Sequence, residues 1–327
     1  MTTAGSIPWM AQHELRLAWR DFVAMTTAGR KTRGVVLVLF LLSFWAGLHW
    51  LADVLVGRWI AGGIIIDKAT LVMLTGSGLL FWTVMLSQTL ESVTRAYYSR
   101  ADLDLILSSP ASSRRLFAVR TGAVALTGMV LACLLASPVV NILALHGGPQ
   151  WFAAYGVLAA LGALSAAISV LVTIGLFRVA GPKQTRLIAQ IIAGIVGAGF
   201  IIGIQAMAIL SFGNMNRFEV LQSPEFVAAA PALDSLVWLP ARAAMGDLAG
   251  LVLIIVLSLG FLAMVIATTS GSFARYAIAA AGVAHTRIRQ TAAKPFRKAS
   301  QRQALRVKEW RLLRRDPWLL SQTLMQI

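Results

Sequence analysis

The side chains best suited to bind a metal or move a proton are few and far apart. His13, His49, His146 and His285 fall respectively in an N-terminal amphipathic stretch, a first apolar run, a turn between two later runs, and a basic segment. No two of them have a spacing that would ligate one metal locally. Cys133 is the single cysteine and sits inside an apolar run, so neither a disulfide framework nor a thiolate metal site can be built from it. Its expected role is packing. The stretch TTAGRKT, 26 to 32, has a lysine-threonine pair after a glycine, but it lacks the G-x-x-x-x-G-K-[ST] spacing and follows no strand. No catalytic residue, metal site or nucleotide site is therefore expected in this chain.

Acidic and basic groups are also scarce where a transport pathway driven by ions would need them. Asp53 and Glu91 stand at the ends of apolar runs, and Arg120 and Arg178 are close enough to an end to snorkel. A charge held at mid-membrane costs about 2.5 to 3.5 kcal/mol even on the lenient insertion scale, and ion-coupled carriers keep a few for function. Their scarcity implies that energy for any transport comes from another subunit.

The elements that must hold these residues are membrane helices. Hydrophobic residues make up 58% of the 327 positions and charged ones 13%, more apolar surface than a water-soluble domain could bury. Runs near 34 to 56, 70 to 90, 121 to 145, 151 to 177, 187 to 211 and 248 to 273 are each long enough to cross a hydrocarbon core of about 30 Å as a helix. They are apolar on all sides rather than alternating, which sets a β-barrel aside. The expected fold class is all-α: six transmembrane helices, the start of a seventh, and an N-terminal amphipathic helix on the cytoplasmic side.

Net charge is +16, and its placement explains it. With a cytoplasmic N-terminus, 25 of the 29 Lys and Arg residues fall on the inner side, leaving Arg58, Lys68, Arg217 and Arg242 outside. That is the bias of the positive-inside rule. The basicity is topological, and nucleic acid is not an expected partner. The first apolar run is too long and too late for a cleavable signal peptide, so it should remain as an anchor.

Residues 1 to 33 read as a cytoplasmic amphipathic helix and basic turn: HELRLAWRDFVAM, 13 to 25, puts Leu15, Trp19, Phe22 and Val23 on one helical face. Residues 34 to 273 form the six-span domain, with an inner loop at 91 to 120 and an outer segment at 212 to 247. The outer segment mixes Pro224, Pro231 and Pro240 with apolar residues and is expected to form short interfacial helices, with Trp238 at headgroup depth. Gly199 and Gly203 match the GxxxG pattern of close helix approach. Residues 274 to 316 are a basic cytoplasmic linker ending in a second amphipathic helix, and 317 to 327 read as the opening of a seventh span. A shift of 295 positions lays HELRLAWRD, 13 to 21, over KEWRLLRRD, 308 to 316, matching Glu14 with Glu309, Arg20 with Arg315 and Asp21 with Asp316. Such doubling is common in transporters and suggests a second permease half in the same longer chain.

The inner loop carries the most specific pattern. In RAYYSRADLDLILSSPASSRRLFAVR, 95 to 120, Asp102 and Asp104 precede a leucine-rich run containing Leu105 and Ile106. Ser108, Ser109 and Pro110 end that run, and Arg114 and Arg115 follow. A short amphipathic helix, a proline-fixed turn and a second helix are expected. This loop resembles the one between the second and third spans of type-2 ATP-binding-cassette (ABC) exporter permeases, where an acidic residue, a leucine-rich run, Ser or Thr, Pro and a small-polar-basic stretch recur. Tyr98-Ser99-Arg100-Ala101-Asp102 stands where the family commonly has Arg-Glu-x-Gly-Thr. The architecture is similar too, including Trp238-Leu239-Pro240 in the outer segment.

The resemblance implies a permease in the bacterial inner membrane, working with a separate ATPase subunit that binds the ATP. The ATPase contact would include Asp102, Asp104, Leu105, Ile106, Ser109, Pro110, Arg114 and Arg115 of the loop, and Glu14, Arg16 and Arg20 of the N-terminal helix. Trp238 and Pro240 would mark the outer interface, and membrane lipids the remaining contacts. Two other classes stay in view: a secondary, ion-coupled carrier, which should show buried charges, and an intramembrane lipid-modifying enzyme, which should show clustered His, Asp or Glu. The topology is checked by single-cysteine labelling in intact cells and inverted vesicles. Cysteines at Arg100, Lys183 and Pro295 should be reached from the inner side and one at Glu225 from the outer; labelling of 225 and 295 from the same side would refute the map.

Overall fold

The structure, a computed structural model, describes residues 6–27, 31–57, 60, 67–98, 113–212, 223–272 and 300–315. Among these no strand occurs. Ten α-helices follow one another: α1 (Ile7–Thr27), α2 (Lys31–Ala52), α3 (Lys68–Tyr98), α4 (Ser113–Gly147), α5 (Ala153–Val179), α6 (Gly181–Phe212), α7 (Pro224–Ala229), α8 (Leu239–Ala244), α9 (Leu248–Thr269) and α10 (Gln301–Arg315). Six of them, α2 to α6 and α9, are long and apolar enough to cross a membrane. The chain is an all-α, polytopic membrane protein, as its composition requires.

Boundaries differ from the expected ones where polar residues start or prolong a helix. α1 begins six residues before the amphipathic stretch, because Ser6 caps it: the Trp9 amide donates to Ser6 Oγ and the Met10 amide to Ser6 O. Asp67 starts α3 in the same way, accepting from the Thr70 amide at 2.8 Å. That hydrogen bond holds the Asp67 carboxyl below its ordinary range, so the cap's contribution is complete above the unfolded carboxyl's titration and is lost as pH falls through the folded one. On the basic side α3 runs on to Tyr98 and α4 starts at Ser113, so both ends of the expected inner loop are helical. α10 makes the second copy of the repeated element helical like the first; Asp316, the seventh-span segment 317–327 and most of the linker lie outside the described residues.

α5 occupies the centre and touches α3, α4, α6 and α9. It does so with small side chains: Ala160, Gly162, Ala163, Ser165, Ala166, Ala167 and Ser169 are all buried. In lipid no hydrophobic force draws helices together, and small residues let backbones come close enough for dispersion to hold them. The core around α5 is completed by Val93, Leu116, Phe117, Val170, Ile174, Phe177, Leu262 and Val265. Thr173 of α5 and Thr94 of α3 lie 3.4 Å apart, oxygen to oxygen, within it.

The Gly199–Gly203 pair does not make the close approach that its pattern suggests. A Cβ added to Gly203 would meet nothing within 4 Å, and one on Gly199 would meet only Ile195 of its own helix. Gly197 makes the contact instead, its added Cβ falling 2.9 Å from Ser87 Oγ of α3. Two residues are about 200° of helical turn, so Gly199 looks the other way.

The turn from α4 to α5 is as short as expected. Gly148 takes φ 101°, which a residue with a Cβ rarely adopts, and Pro149 opens the next helical turn. The outer segment does form short helices, α7 and α8, with a 3₁₀ turn at Leu236–Trp238. Trp238, however, is 4% exposed and packs with Leu71, Val72 and Ala241. Its Nε1–H donates to Ala232 O, while Lys68 Nζ donates to Ala230 O, so the segment is fastened over the start of α3. The aromatic ring serves this cap rather than a lipid contact, its polar edge being satisfied by backbone.

Gly162 provides a test of the packing. A Cβ there would lie 2.7 Å from Met129 Cγ and 3.2 Å from Met129 Cα, and the backbone of α4 cannot yield as a side-chain end could. Gly162→Ala should lower stability in detergent by about 1 to 3 kcal/mol, whereas Gly194→Ala, with nothing within 4 Å, should raise it by a few tenths through helix propensity. Thermal unfolding of the two variants shifting in the same direction would show that α5 does not pack this closely.

Candidate functional site

At the basic end of the bundle α1 lies against α4. Its apolar stripe faces outward, with Leu15, Trp19 and Val23 exposed and Trp19 at 66%, as suits a helix resting in a lipid interface. The Phe22 side chain is outside the described residues. Glu14 turns the opposite way. Its carboxylate Oε1 lies 3.6 Å from Arg120 Nε of α4, and the two side chains are only 10% and 5% exposed. An ion pair this deep is strongly felt when one partner is removed, because the other is left charged and desolvated.

The residues expected at an ATPase contact thus separate. Glu14 faces into the protein, while Arg16 and Arg20 on the same helix are exposed. Arg114 and Arg115 are exposed in the first turn of α4, and Arg114 stands beside the 3₁₀ turn Ser270–Ser272 that ends α9. Asp102, Asp104, Leu105, Ile106, Ser109 and Pro110 lie outside the described residues. Pro240 sits in the first turn of α8, where its missing N–H costs no helix bond.

A second polar arrangement joins α2 to the bundle. Trp45, His49 and Asp53 follow at intervals of four, so they share one face of α2 and its terminal π turn, Asp53–Gly57. Ser137, Asn141 and His146 present a matching face of α4. Trp45 Nε1–H donates to Ser137 Oγ at 2.9 Å, Asn141 Nδ2–H reaches His49 Nε2 at 3.1 Å, and His146 Nε2 lies 2.7 Å from Asp53 Oδ1. The partners assign the tautomer of His49: Nδ1–H donates to Trp45 O at 2.9 Å, leaving Nε2 as the acceptor. Tyr155 of α5 donates its hydroxyl to Asn141 Oδ1 at 2.7 Å, extending the chain to the central helix.

Pro138 makes Ser137 necessary. A proline within α4 has no N–H for the carbonyl of Leu134, four residues before it. The Ser137 hydroxyl donates to that carbonyl at 2.7 Å and keeps its oxygen lone pairs for Trp45. One serine therefore repairs the helix and anchors its neighbour.

His49 and His146 are each brought to a polar partner more than 90 positions away in the chain, Asn141 and Asp53 respectively. The signal that could have found the seam is the four-residue spacing Trp45, His49, Asp53 set beside Ser137, Asn141. The described residues include no group of three or more His, Cys, Asp or Glu able to hold a metal. His13 stacks on Trp9 within α1. No family model, curated protein or solved structure matches this chain.

The seam is a mutual network, and a double-mutant cycle reads it. Asn141→Ala and His49→Ala should each destabilise the protein, with a coupling between them of about 0.6 kcal/mol and no more than about 1.7, the range for hydrogen bonds between membrane helices. Unfolding energies that add within about 0.3 kcal/mol would mean the two side chains do not interact.

Proposed function

We propose that this chain is the membrane-spanning permease of an ATP-binding-cassette exporter in the bacterial inner membrane, moving its substrate with work supplied by a separate ATPase subunit. The observation that carries this reading is the buried ion pair between Glu14 and Arg120. It ties the surface helix α1 to α4 only seven residues after α4 emerges from the inner loop. The two elements that the sequence resemblance assigns to an ATPase contact, α1 and the loop, are thereby joined to one transmembrane helix. Force applied to either would arrive at α4.

Helix lengths agree with such a role. α3 and α4, with 31 and 35 residues, extend about 46 and 52 Å at 1.5 Å per residue, well beyond a 30 Å hydrocarbon core. The clustering of Arg95, Arg114, Arg115 and Arg120 near their shared basic end supports a cytoplasmic position for that end under the positive-inside rule. An ion-coupled carrier remains the second reading, on the strength of His49, Asn141 and Tyr155 within the spans. Those groups satisfy one another and share no carboxylate, which favours a fastening over a proton path.

The coupling loop offers the direct test. Its leucines would dock in an apolar groove on the ATPase while its charges set the register. Leu105→Asp with Ile106→Asp should reduce co-purification of the proposed ATPase partner by about tenfold or more, a loss on the scale of a hot-spot pair. The amount of permease in the membrane should not change, since both positions lie outside every span. Full retention of the ATPase together with normal transport would remove the basis for the assignment.

A further inference from the structure

At the basic end, a cleft of about 320 Å³ opens between α1, α3 and α4. The charges at its mouth are already compensated: Arg95 pairs with Glu91 one turn earlier on α3, and Arg120 of α4 pairs with Glu14 of α1. Deeper in, the two long walls differ. On α3, Ser92 and Gln88 lie about 4.5 and 10 Å from Arg95 along the helix axis, one turn apart and so on one face, with Thr89 beside Gln88. α4 presents Val124, Leu126 and Leu131, with Thr127 among them about 10 Å from Arg120. An uncharged polar wall therefore faces a mainly aliphatic one.

We infer that this cleft binds one uncharged, hydroxyl-bearing amphiphile of the monoacylglycerol kind, its polyol head against α3 and its chain along α4. The pairs at the mouth disfavour an ionised head, which would be desolvated where neither arginine has charge to spare and could be answered only by breaking a pair. Hydrogen-bonding chemistry then selects hydroxyl donors. The hydroxyl protons of Ser92, Thr89 and Thr127 are committed to the carbonyls of Gln88, Met85 and Ala123 in their own helices. Their oxygens keep lone pairs and can only accept. The Gln88 carboxamide, which makes no hydrogen bond to another described residue, adds a further acceptor and its own N–H donors. A lining that mostly accepts is met by a polyol, which carries O–H donors on adjacent carbons. The cleft has room for about ten water-sized groups, which suits a glycerol ester and the first methylenes of one chain and leaves no place for a second. Leu131, half exposed at the deep end, marks where the chain leaves for the bilayer core.

This site is independent of the energy source proposed for transport, since it rests on the cleft and the six spans alone. Glu14 and Leu15 carry α1 along its edge, so an occupant touches all three helices.

The test uses the full chain in phosphatidylcholine nanodiscs, because a sugar-headed detergent would itself compete. A monoacylglycerol with a diazirine on its chain is the photoreactive probe, and mass spectrometry maps the residues it labels. Labelling should saturate on α3 and α4 near Gln88 and Leu131, and mono-oleoylglycerol should displace the probe. Methyl oleate, which has the chain without the hydroxyls, should need about tenfold more for the same displacement. Oleoyl lysophosphatidate, with an ionised head on that chain, should also need about tenfold more. Gln88→Leu, close in volume but without the amide, should weaken probe binding by about threefold to tenfold. Leu131→Trp should weaken it by filling the deep end. Both positions are partly exposed, so the unfolding temperature of each variant should be unchanged. Methyl oleate competing as well as mono-oleoylglycerol would show an unselective apolar crevice, and lysophosphatidate competing better would show an anion site. Labelling that never saturates, or that neither variant reduces, would show only the lipid surrounding the protein. Any of these three results overturns the inference.

Discussion

The close approach of helices around α5 is the constraint on which the bundle depends. Lipid removes the hydrophobic difference between packed and unpacked helices, so the assembled state must win by contact quality. α5 achieves this with alanine, glycine and serine where it meets α3, α4, α6 and α9. The same small residues explain why the outward surfaces can be so coarse. α2, α4 and α9 carry rows of exposed Leu, Val and Phe that need only be apolar, because lipid fills whatever shape they leave. Specificity is concentrated in one helix, and the rest of the spans supply length and hydrophobicity.

α4 solves a different problem. α1 and α2 have no share in the core around α5, and they reach the bundle chiefly through α4. Apolar packing alone would let α2 rotate or slide, since most of its surface faces outward. The ladder of Trp45, His49 and Asp53 against Ser137, Asn141 and His146 removes that freedom, each contact being directional. Polar groups inside a membrane are acceptable here because each is donated to or accepted by a neighbour, down to the Leu134 carbonyl released by Pro138.

What could be read from the chain follows from the range of the interactions involved. Hydropathy is local, so all six spans were legible, and so was the amphipathic character of α1, where Leu15, Trp19 and Val23 do share an outward face. Helix ends were less legible, since the Ser6 and Asp67 caps turn on single hydrogen bonds. Pairings between helices were the least accessible. Glu14 and Arg120 are 106 positions apart, and each has an unremarkable local reading, a surface acid and a snorkelling arginine. Only the docking of α1 on α4 makes them partners. Trp238 shows the same limit: its place beside a span suggests an interfacial depth, but its hydrogen bond to Ala232 O and its packing on the start of α3 have no local signal. At the inner loop, the coupling role proposed for Asp102 to Pro110 rests on resemblance alone, because nothing local distinguishes a coupling element from any short amphipathic loop.

The two polar ties of α4 have a mechanical consequence when taken together. Arg120 holds α1 near one end of the helix, and His146 holds the end of α2 near the other. The two positions are separated by 26 residues, or about 39 Å of helix. With Trp45 and His49 fastened between them, α1, α2 and α4 form a frame joined along nearly the whole thickness of the membrane. A helix carrying a proline in its outer half would otherwise bend there when pushed from the end beyond Ser113. The Trp45–Ser137 hydrogen bond sits directly before Pro138 and braces that point against α2. Under the proposed coupling, a displacement of the inner loop would therefore be carried by the frame as a whole. Against α5 the frame is held by the close seating of Met129 on Gly162 and by the hydrogen bond from Tyr155 to Asn141. Packed interfaces of this kind shift between discrete arrangements rather than deforming continuously. A shift of the frame against α5 would have to break the Tyr155–Asn141 hydrogen bond and reseat Met129 at Gly162, so it would be a step between two arrangements and not a glide.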